Sequence, residues 1–200
     1  VIEHDVVWDA ELSAAAAVVV ASILEWPTGP AEETLARTLR VIAGYYKLKN
    51  AEEPTNAAVE HARKYDEAAA KVAKGEGPRI NAARALVAVY KAGIDLVGEP
   101  VADWKAARWV LHDIPALNEL FREARLVRLF RATDALASGL GERWLALSSY
   151  AGASELVKRI LEQERLVAAE RDPQGCILMN MHKAKGKEFD GVVLVEGAFK

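Results

Sequence analysis

The length, composition and charge of this chain limit what it can be. Its 200 residues are 52% hydrophobic and 28% charged, so it can bury a core and is not disordered by composition. The net charge of −3 argues against a protein wrapped in nucleic acid on all sides, but leaves room for a local basic surface. The single cysteine, Cys176, excludes an intrachain disulfide and a zinc site of several thiolates. We therefore expect a cytoplasmic protein without a bound metal.

The first 172 residues predict a short strand followed by helices. Residues 1–8 predict the strand, because their valines and tryptophan favour a pleated surface. The longest apolar stretch, residues 14–24, is shorter than the roughly 20 residues that cross a bilayer and is interpreted as part of a buried helix. Apolar residues at helical spacing, separated by proline and glycine, define the other helical segments. These segments are 31–49, 52–77, 79–98, 100–114, 115–141, 142–152 and 153–172.

Local signals predict where two of these helices begin or end. Gly139 and Gly141 are expected to stop the helix that starts at residue 115, because glycine is a poor helix former. Ser154 is expected to cap the N-terminus of the last helix, because a serine hydroxyl accepts a hydrogen bond from a first-turn amide.

Basic and aromatic residues in these helices suggest two kinds of nucleic-acid contact. Arginines recur at every third residue and predict a basic ridge that contacts DNA phosphates; the alternative, which the pattern favours, is a solvated face paired with Glu119 and Glu123. Tryptophans at three positions are candidate stacking platforms for bases, although their apolar helical surroundings favour core packing. The arginines are Arg122, Arg125, Arg128 and Arg131, and the tryptophans are Trp104, Trp109 and Trp144.

The last 25 residues change from helical to strand character. "CILMNMH" (176–182) and "GVVLVEG" (191–197) are apolar without alternation, which is typical of strands buried on both faces of a parallel sheet. Polar residues follow the carboxyl end of the first strand, the edge where ligands bind in open α/β sheets. We expect these strands to pair with each other, with residues 2–8, or with a second copy of the chain.

The segment between the two strands carries a specific pattern. It runs Met179-Asn180-Met181-His182, then Lys183-Ala184, then Lys185-Gly186-Lys187-Glu188-Phe189, and continues into Val192-Val193-Leu194-Val195. This resembles motif V of the UvrD/Rep/PcrA-type superfamily 1 helicases. Two positions depart from the family pattern, because Asn180 replaces a threonine or serine and Lys187 replaces a leucine.

The resemblance implies roles for individual residues. Asn180 and His182 would face the DNA strand, and Asn180 retains a hydrogen-bond donor for a phosphate. Gly186 and Glu188 would face the nucleotide, with Glu188 on the ribose, and Lys185 would stabilise the turn or reach a phosphate of the nucleotide.

The resemblance also implies a fold class, which is mainly α. Residues 1–8 would be the strand that enters a large helical insertion, residues 9–172 a multi-helix domain similar to the family's 2B domain, and residues 175–200 a strand–turn–strand piece of the second RecA-like α/β domain.

The function implied is that of part of an ATP-dependent DNA helicase. Such an enzyme uses ATP and Mg²⁺, binds single-stranded and duplex DNA, and moves 3′ to 5′ in repair, replication or recombination. The chain contains no phosphate-cradling Gly-x-x-x-x-Gly-Lys-Ser/Thr sequence, so by itself we expect it neither to hydrolyse ATP nor to unwind DNA. Two alternatives stay open: the helicase part of a RecB/AddA-like nuclease-helicase, and a non-catalytic helical interaction module.

Overall fold

The computed structural model describes residues 4–6, 10–49, 51, 55–125, 132–170, 176–178 and 191–193. The described chain is mainly helical. Its helices are α1 (Ala10–Leu24), α2 (Ala31–Lys49), α3 (Asn56–Val72), α4 (Asn81–Ala92), α5 (Pro100–His112), α6 (Asn118–Arg125), α7 (Ala132–Leu147) and α8 (Ala153–Glu170). Two 3₁₀ turns, Trp26–Thr28 and Pro115–Leu117, precede α2 and α6, and the strands are β1 (His4–Val6) and β2 (Cys176–Leu178).

The chain divides into two compact units, of which the larger is the helical unit Ala10–Glu170. The other unit contains β1 and β2, which pair in parallel with His4 opposite Cys176 and Val6 opposite Leu178. The sequence left three pairings open for the two predicted C-terminal strands. The first of those two strands, which contains β2, pairs with the N-terminal segment. Parallel neighbours need a long crossover connection. In this chain the whole helical unit forms that connection.

Helix α1 is the centre of the helical unit. It packs against α2, α5, α6 and α8, and its second half is almost entirely buried. A helix that is apolar on all sides has no face suited to water, so other helices must surround it. The interpretation of residues 14–24 as part of a buried helix is confirmed.

The predicted end of a helix at Gly139 and Gly141 is wrong. Both glycines lie inside α7, which continues to Leu147. A Cβ atom on Gly139 would lie 3.2 Å from a methyl group of Leu156 in α8, and one on Gly141 would lie 3.5 Å from Pro100 at the start of α5. The second distance is an ordinary van der Waals contact, so only at Gly139 does the missing side chain allow α7 to approach its neighbour more closely, and this packing offsets the low helix propensity of glycine there.

The buried carboxylate of Asp103 joins the loop before α5 to the segment between α7 and α8. Its oxygens accept hydrogen bonds from the backbone N–H groups of Val97 at 2.9 Å and Gly98 at 2.8 Å. The Tyr150 hydroxyl donates a third, at 2.6 Å, and burial together with this carboxylate raises the pKa of Tyr150. Gly98 has a positive φ of 83°, and the Trp144 ring occupies the space that a Cβ would fill. Only glycine fits this position.

A second buried carboxylate, Glu25, joins three helices. Glu25 follows α1, forms an ion pair with Arg37 of α2 at 2.8 Å, and accepts a hydrogen bond of 2.6 Å from the backbone N–H of Ser154. The prediction that the Ser154 hydroxyl caps α8 is therefore wrong. That hydroxyl is buried without a hydrogen-bond partner among the described residues, and the carboxylate of Glu25 satisfies the first-turn amide instead.

An aromatic cluster joins α2 to α3. The Tyr46 and Tyr65 rings stack with centroids 5.5 Å apart, and His61 lies over Tyr46 at a centroid distance of 4.2 Å. Burial raises the pKa of Tyr46 to about 12. Burial also lowers the pKa of His61 from its usual value of 6.5, with a contribution in the same direction from Lys64.

The lowered pKa of His61 predicts that the free energy of unfolding decreases as the pH falls through about 6.5. The unfolded chain binds the proton more readily than the folded chain, so acid favours unfolding. Urea titrations of the wild-type chain at pH 7.5 and pH 5.5 measure this decrease. His61→Phe keeps a ring over Tyr46 without a titrating group, so its decrease should be smaller. An equal decrease in both proteins would contradict the assignment to His61.

Candidate nucleic-acid interface

The residues that the motif predicts to contact nucleotide or DNA lie outside the described residues. They are Asn180, His182, Lys185, Gly186 and Glu188. The strand β2 ends at Leu178, two residues before the first of them. In the sequence these residues therefore follow the carboxyl end of a parallel strand.

The described part of the predicted second strand is not a strand. Residues 191–193 form neither helix nor strand, and Val192 and Val193 are 67% and 88% exposed. A strand buried on both faces needs neighbours on its edges and faces. No described segment pairs with these three residues, and residues 194–197 lie outside the described ranges.

The basic ridge is described only in part. Arg122 is an exposed residue of α6, and Arg125 is the last residue of that helix. The side chain of Arg125, and the whole of Arg128 and Arg131, lie outside the description. Arg122 makes no ion pair with a described residue, while Glu119, one of its expected partners, pairs with Lys49 instead. Within the described part of the chain, the positive charge of Arg122 is therefore not matched by an ion pair.

Beside Arg122, an aromatic patch lies where α5 and α6 meet. We define it as Trp109 and His112 of α5 with Phe121 of α6. The Trp109 and His112 rings are nearly parallel, with centroids 4.4 Å apart and an interplanar angle of 22°. Phe121 stands perpendicular to Trp109 at 5.6 Å and makes an edge contact with His112 at 4.9 Å. The patch is thus a fixed set of rings rather than a group of separate side chains.

Arg108 fixes the position of Phe121 in the patch. Its guanidinium lies 3.9 Å from the centre of the Phe121 ring, and its Nε donates a 3.0 Å hydrogen bond to the Phe121 carbonyl oxygen. A cation over an aromatic face is held by the ring quadrupole. The contact therefore couples the orientation of α6 to α5 at this surface.

The patch is open to solvent and has charged residues beside it. Trp109 has the largest side chain of the patch and is 54% exposed, so about half of it contacts water. Lys105, one turn before Trp109 on α5, is exposed and makes no ion pair with a described residue. The nearest acidic side chain along α5, Asp113, hydrogen-bonds to His112 at 3.0 Å. Asp113 is itself 62% exposed, so along α5 the rings have a cation, Lys105, on one side and a carboxylate, Asp113, on the other.

The expectation that Trp109 packs in the core is therefore wrong, whereas Trp104 and Trp144 are half buried against the core. The sequence carries a signal that identifies the exposed face. Lys105 and His112 lie four residues before and three residues after Trp109, so all three share one side of α5. The roles of Arg108 and Phe121 depend on how α5 packs against α6, which no local pattern records.

Comparison of this chain with protein-family models, with curated proteins and with solved structures found no match. Within the described ranges, no helix has both the length and the apolar character needed to cross a membrane. In the same part of the chain, no three acidic, histidine or cysteine side chains come together as ligands for a metal ion.

Proposed function

We propose that this chain is part of an ATP-dependent DNA helicase of the UvrD/Rep/PcrA type. The helical unit is the 2B-like insertion, and residues 175–200 belong to the second RecA-like domain. In the intact enzyme, phosphoryl transfer from ATP with Mg²⁺ drives movement along single-stranded DNA, in the 3′ to 5′ direction. Lys185, Gly186 and Glu188 contact the nucleotide, and Asn180 and His182 contact the strand.

The observation that carries this proposal is the parallel pairing of β1 with β2. The motif resemblance requires a strand, a large helical insertion, a second strand and then the motif, in that order. The pairing of His4–Val6 with Cys176–Leu178 makes the helices an insertion between neighbouring strands of one sheet. The motif then begins at the carboxyl edge of β2, where open α/β sheets bind their ligands.

The surface of the helical unit adds a second line of support. Arg122 and Lys105 are exposed and have no ion-pair partner among the described residues, on a chain with a net charge of −3. Exposed cations of this kind favour a polyanion as a partner.

Alanine at both His182 and Glu188 tests the proposal in the full-length protein that contains this chain. Each residue contributes a contact to a charged partner, and each such contact is worth about 1.5–3 kcal/mol. ATP turnover stimulated by single-stranded DNA should therefore fall by more than roughly tenfold. Steady-state phosphate release with and without an oligonucleotide measures the effect.

Ala184→Ser is the matched control, because position 184 lies between His182 and Glu188 in the sequence, at a point that the motif leaves unconstrained. It should retain DNA-stimulated turnover. Full turnover in the double variant would remove the helicase assignment and favour the non-catalytic helical module. Nuclease activity in the full-length protein would instead indicate a RecB/AddA-like enzyme.

A further inference from the structure

The aromatic patch has a chemistry that the motif does not explain. Motif V lies in the strand unit, whereas Trp109, His112 and Phe121 all belong to the helical unit. A half-exposed tryptophan on a folded surface leaves a large apolar area in contact with water, which is unfavourable unless something covers it. Unlike a single exposed side chain, Trp109 is held in a fixed set of rings, so the patch is a candidate binding surface.

We propose that the aromatic patch stacks an unpaired base of single-stranded DNA, with Lys105 and Arg122 on the adjoining phosphates. This inference rests on the proposed function and adds a substrate contact to it. The Trp109 and His112 rings already lie nearly parallel at 4.4 Å, which shows that this surface holds planar rings in a layered arrangement. A base on the exposed surface of Trp109 extends the same layers.

The two exposed cations on α5 and α6 favour a single strand over an apolar protein segment as the occupant. Lys105 precedes Trp109 by one turn of α5, and Arg122 directly follows Phe121 on α6. Both are exposed and free of ion pairs with described residues, so each of the two helices that carry the rings also carries an exposed cation. Aromatic rings together with cations suit the bases and phosphates of a single strand. In a duplex the bases are stacked on one another and offer no free face.

The test measures binding of a fluorescently labelled oligo(dT) to the 200-residue chain. Stacking on one aromatic ring contributes an affinity of about 5- to 150-fold, so Trp109→Ala should weaken binding by that factor. Trp109→Phe keeps an aromatic face and should retain most of the affinity. Leu145→Ala removes another exposed apolar side chain, on α7 and 86% exposed, and should leave binding unchanged.

An abasic oligonucleotide of the same length separates base stacking from phosphate contact. The wild-type chain should bind it about as weakly as Trp109→Ala binds oligo(dT). Arg122→Ala should weaken binding to both oligonucleotides and reduce the dependence of log K on log salt by about 0.7.

Two results overturn the inference. Equal binding of the wild type to abasic and normal oligonucleotides shows that no base stacks on the patch, and absence of oligonucleotide binding by the 200-residue chain leaves the patch to a protein partner. Neither result touches the helicase assignment, which depends on DNA-stimulated ATP turnover and on His182 and Glu188. Conversely, loss of that assignment with oligo(dT) binding that still requires Trp109 identifies a nucleic-acid-binding module.

Discussion

Replacing Asp103 with alanine should lower the free energy of unfolding by about 3–5 kcal/mol, which is a large part of the 5–15 kcal/mol typical of a domain. Three donors lose their acceptor: the amides of Val97 and Gly98 and the hydroxyl of Tyr150. A hydrogen bond to a charged group contributes about 1.5–3 kcal/mol, and donors left unsatisfied away from water add a desolvation cost. Because the three bonds share one carboxylate, their contributions are not additive.

Urea denaturation followed by circular dichroism measures this loss, and two further variants identify its cause. In Asp103→Asn the side-chain oxygen still accepts from the Val97 amide, and the side-chain NH₂ can donate to the Tyr150 hydroxyl. The same NH₂ faces the N–H of Gly98, which loses its acceptor, so the loss of stability should be intermediate. Tyr150→Phe removes one donor and should cost about 1 kcal/mol. In the Asp103→Ala background, Tyr150→Phe should cost less, because the hydroxyl no longer needs a partner. An unchanged urea midpoint in Asp103→Ala contradicts the account.

The sequence predicts the helices of this protein well because their signals are local. Pro30 before α2, acidic residues in its first turn and lysines in its last turn all act within a few residues. The burial of α1 likewise follows from an apolar stretch that leaves no polar face. These features require no knowledge of what the helix packs against.

The predictions at Gly139 and Trp109 are wrong because glycine occurs both at the ends of helices and inside them, and tryptophan both in the core and at the surface. At Gly139, local propensity predicts the end of a helix, while the close methyl groups of Leu156 favour a residue without a side chain inside one. At Trp109, an apolar helical pattern predicts burial, while Lys105 on the same side of α5 indicates solvent. Only the packing of α7 on α8, and of α5 on α6, decides each case.

The polar contacts that hold the helical unit together were beyond prediction from the sequence. Glu25 and Ser154 are 129 residues apart, and Asp103 and Tyr150 are 47 apart. A lone glutamate after a helix is ordinarily a solvated residue. Nothing in its neighbourhood indicates that its carboxylate will be buried against the start of α8. For the site, the motif supplied candidate residues from spacing, whereas the aromatic patch became visible only once α5 and α6 were seen together.

Replacing Glu25 with alanine should lower the free energy of unfolding by about 2–4 kcal/mol. The variant leaves the Ser154 amide without an acceptor and removes a negative charge from the N-terminus of α8. It also breaks the ion pair with Arg37. Because the Arg37 side chain is 44% exposed, water can solvate it in the variant, so loss of the ion pair should contribute less to the destabilisation than loss of the hydrogen bond to Ser154.

The same arginine supplies the matched control. Arg37 also pairs with Glu33 at 3.3 Å, but Glu33 is 67% exposed and lies one turn away on the same helix. Glu33→Ala should therefore cost no more than about 0.5 kcal/mol. Glu25→Gln keeps an oxygen for the Ser154 amide and should retain about half of the stabilisation.

Hydrogen exchange locates the effect of Glu25→Ala within the fold. Because the carboxylate holds the first turn of α8 to the end of α1, amides in that turn should exchange faster relative to the global rate in Glu25→Ala, and not in Glu33→Ala. If the two glutamate variants lose the same stability, the ion pair with Arg37 accounts for the whole contribution and the cap on α8 contributes nothing. A larger loss in Glu25→Ala, with exchange concentrated at residues 153–156, shows that α8 is stabilised by a carboxylate from the opposite end of the helical unit's sequence.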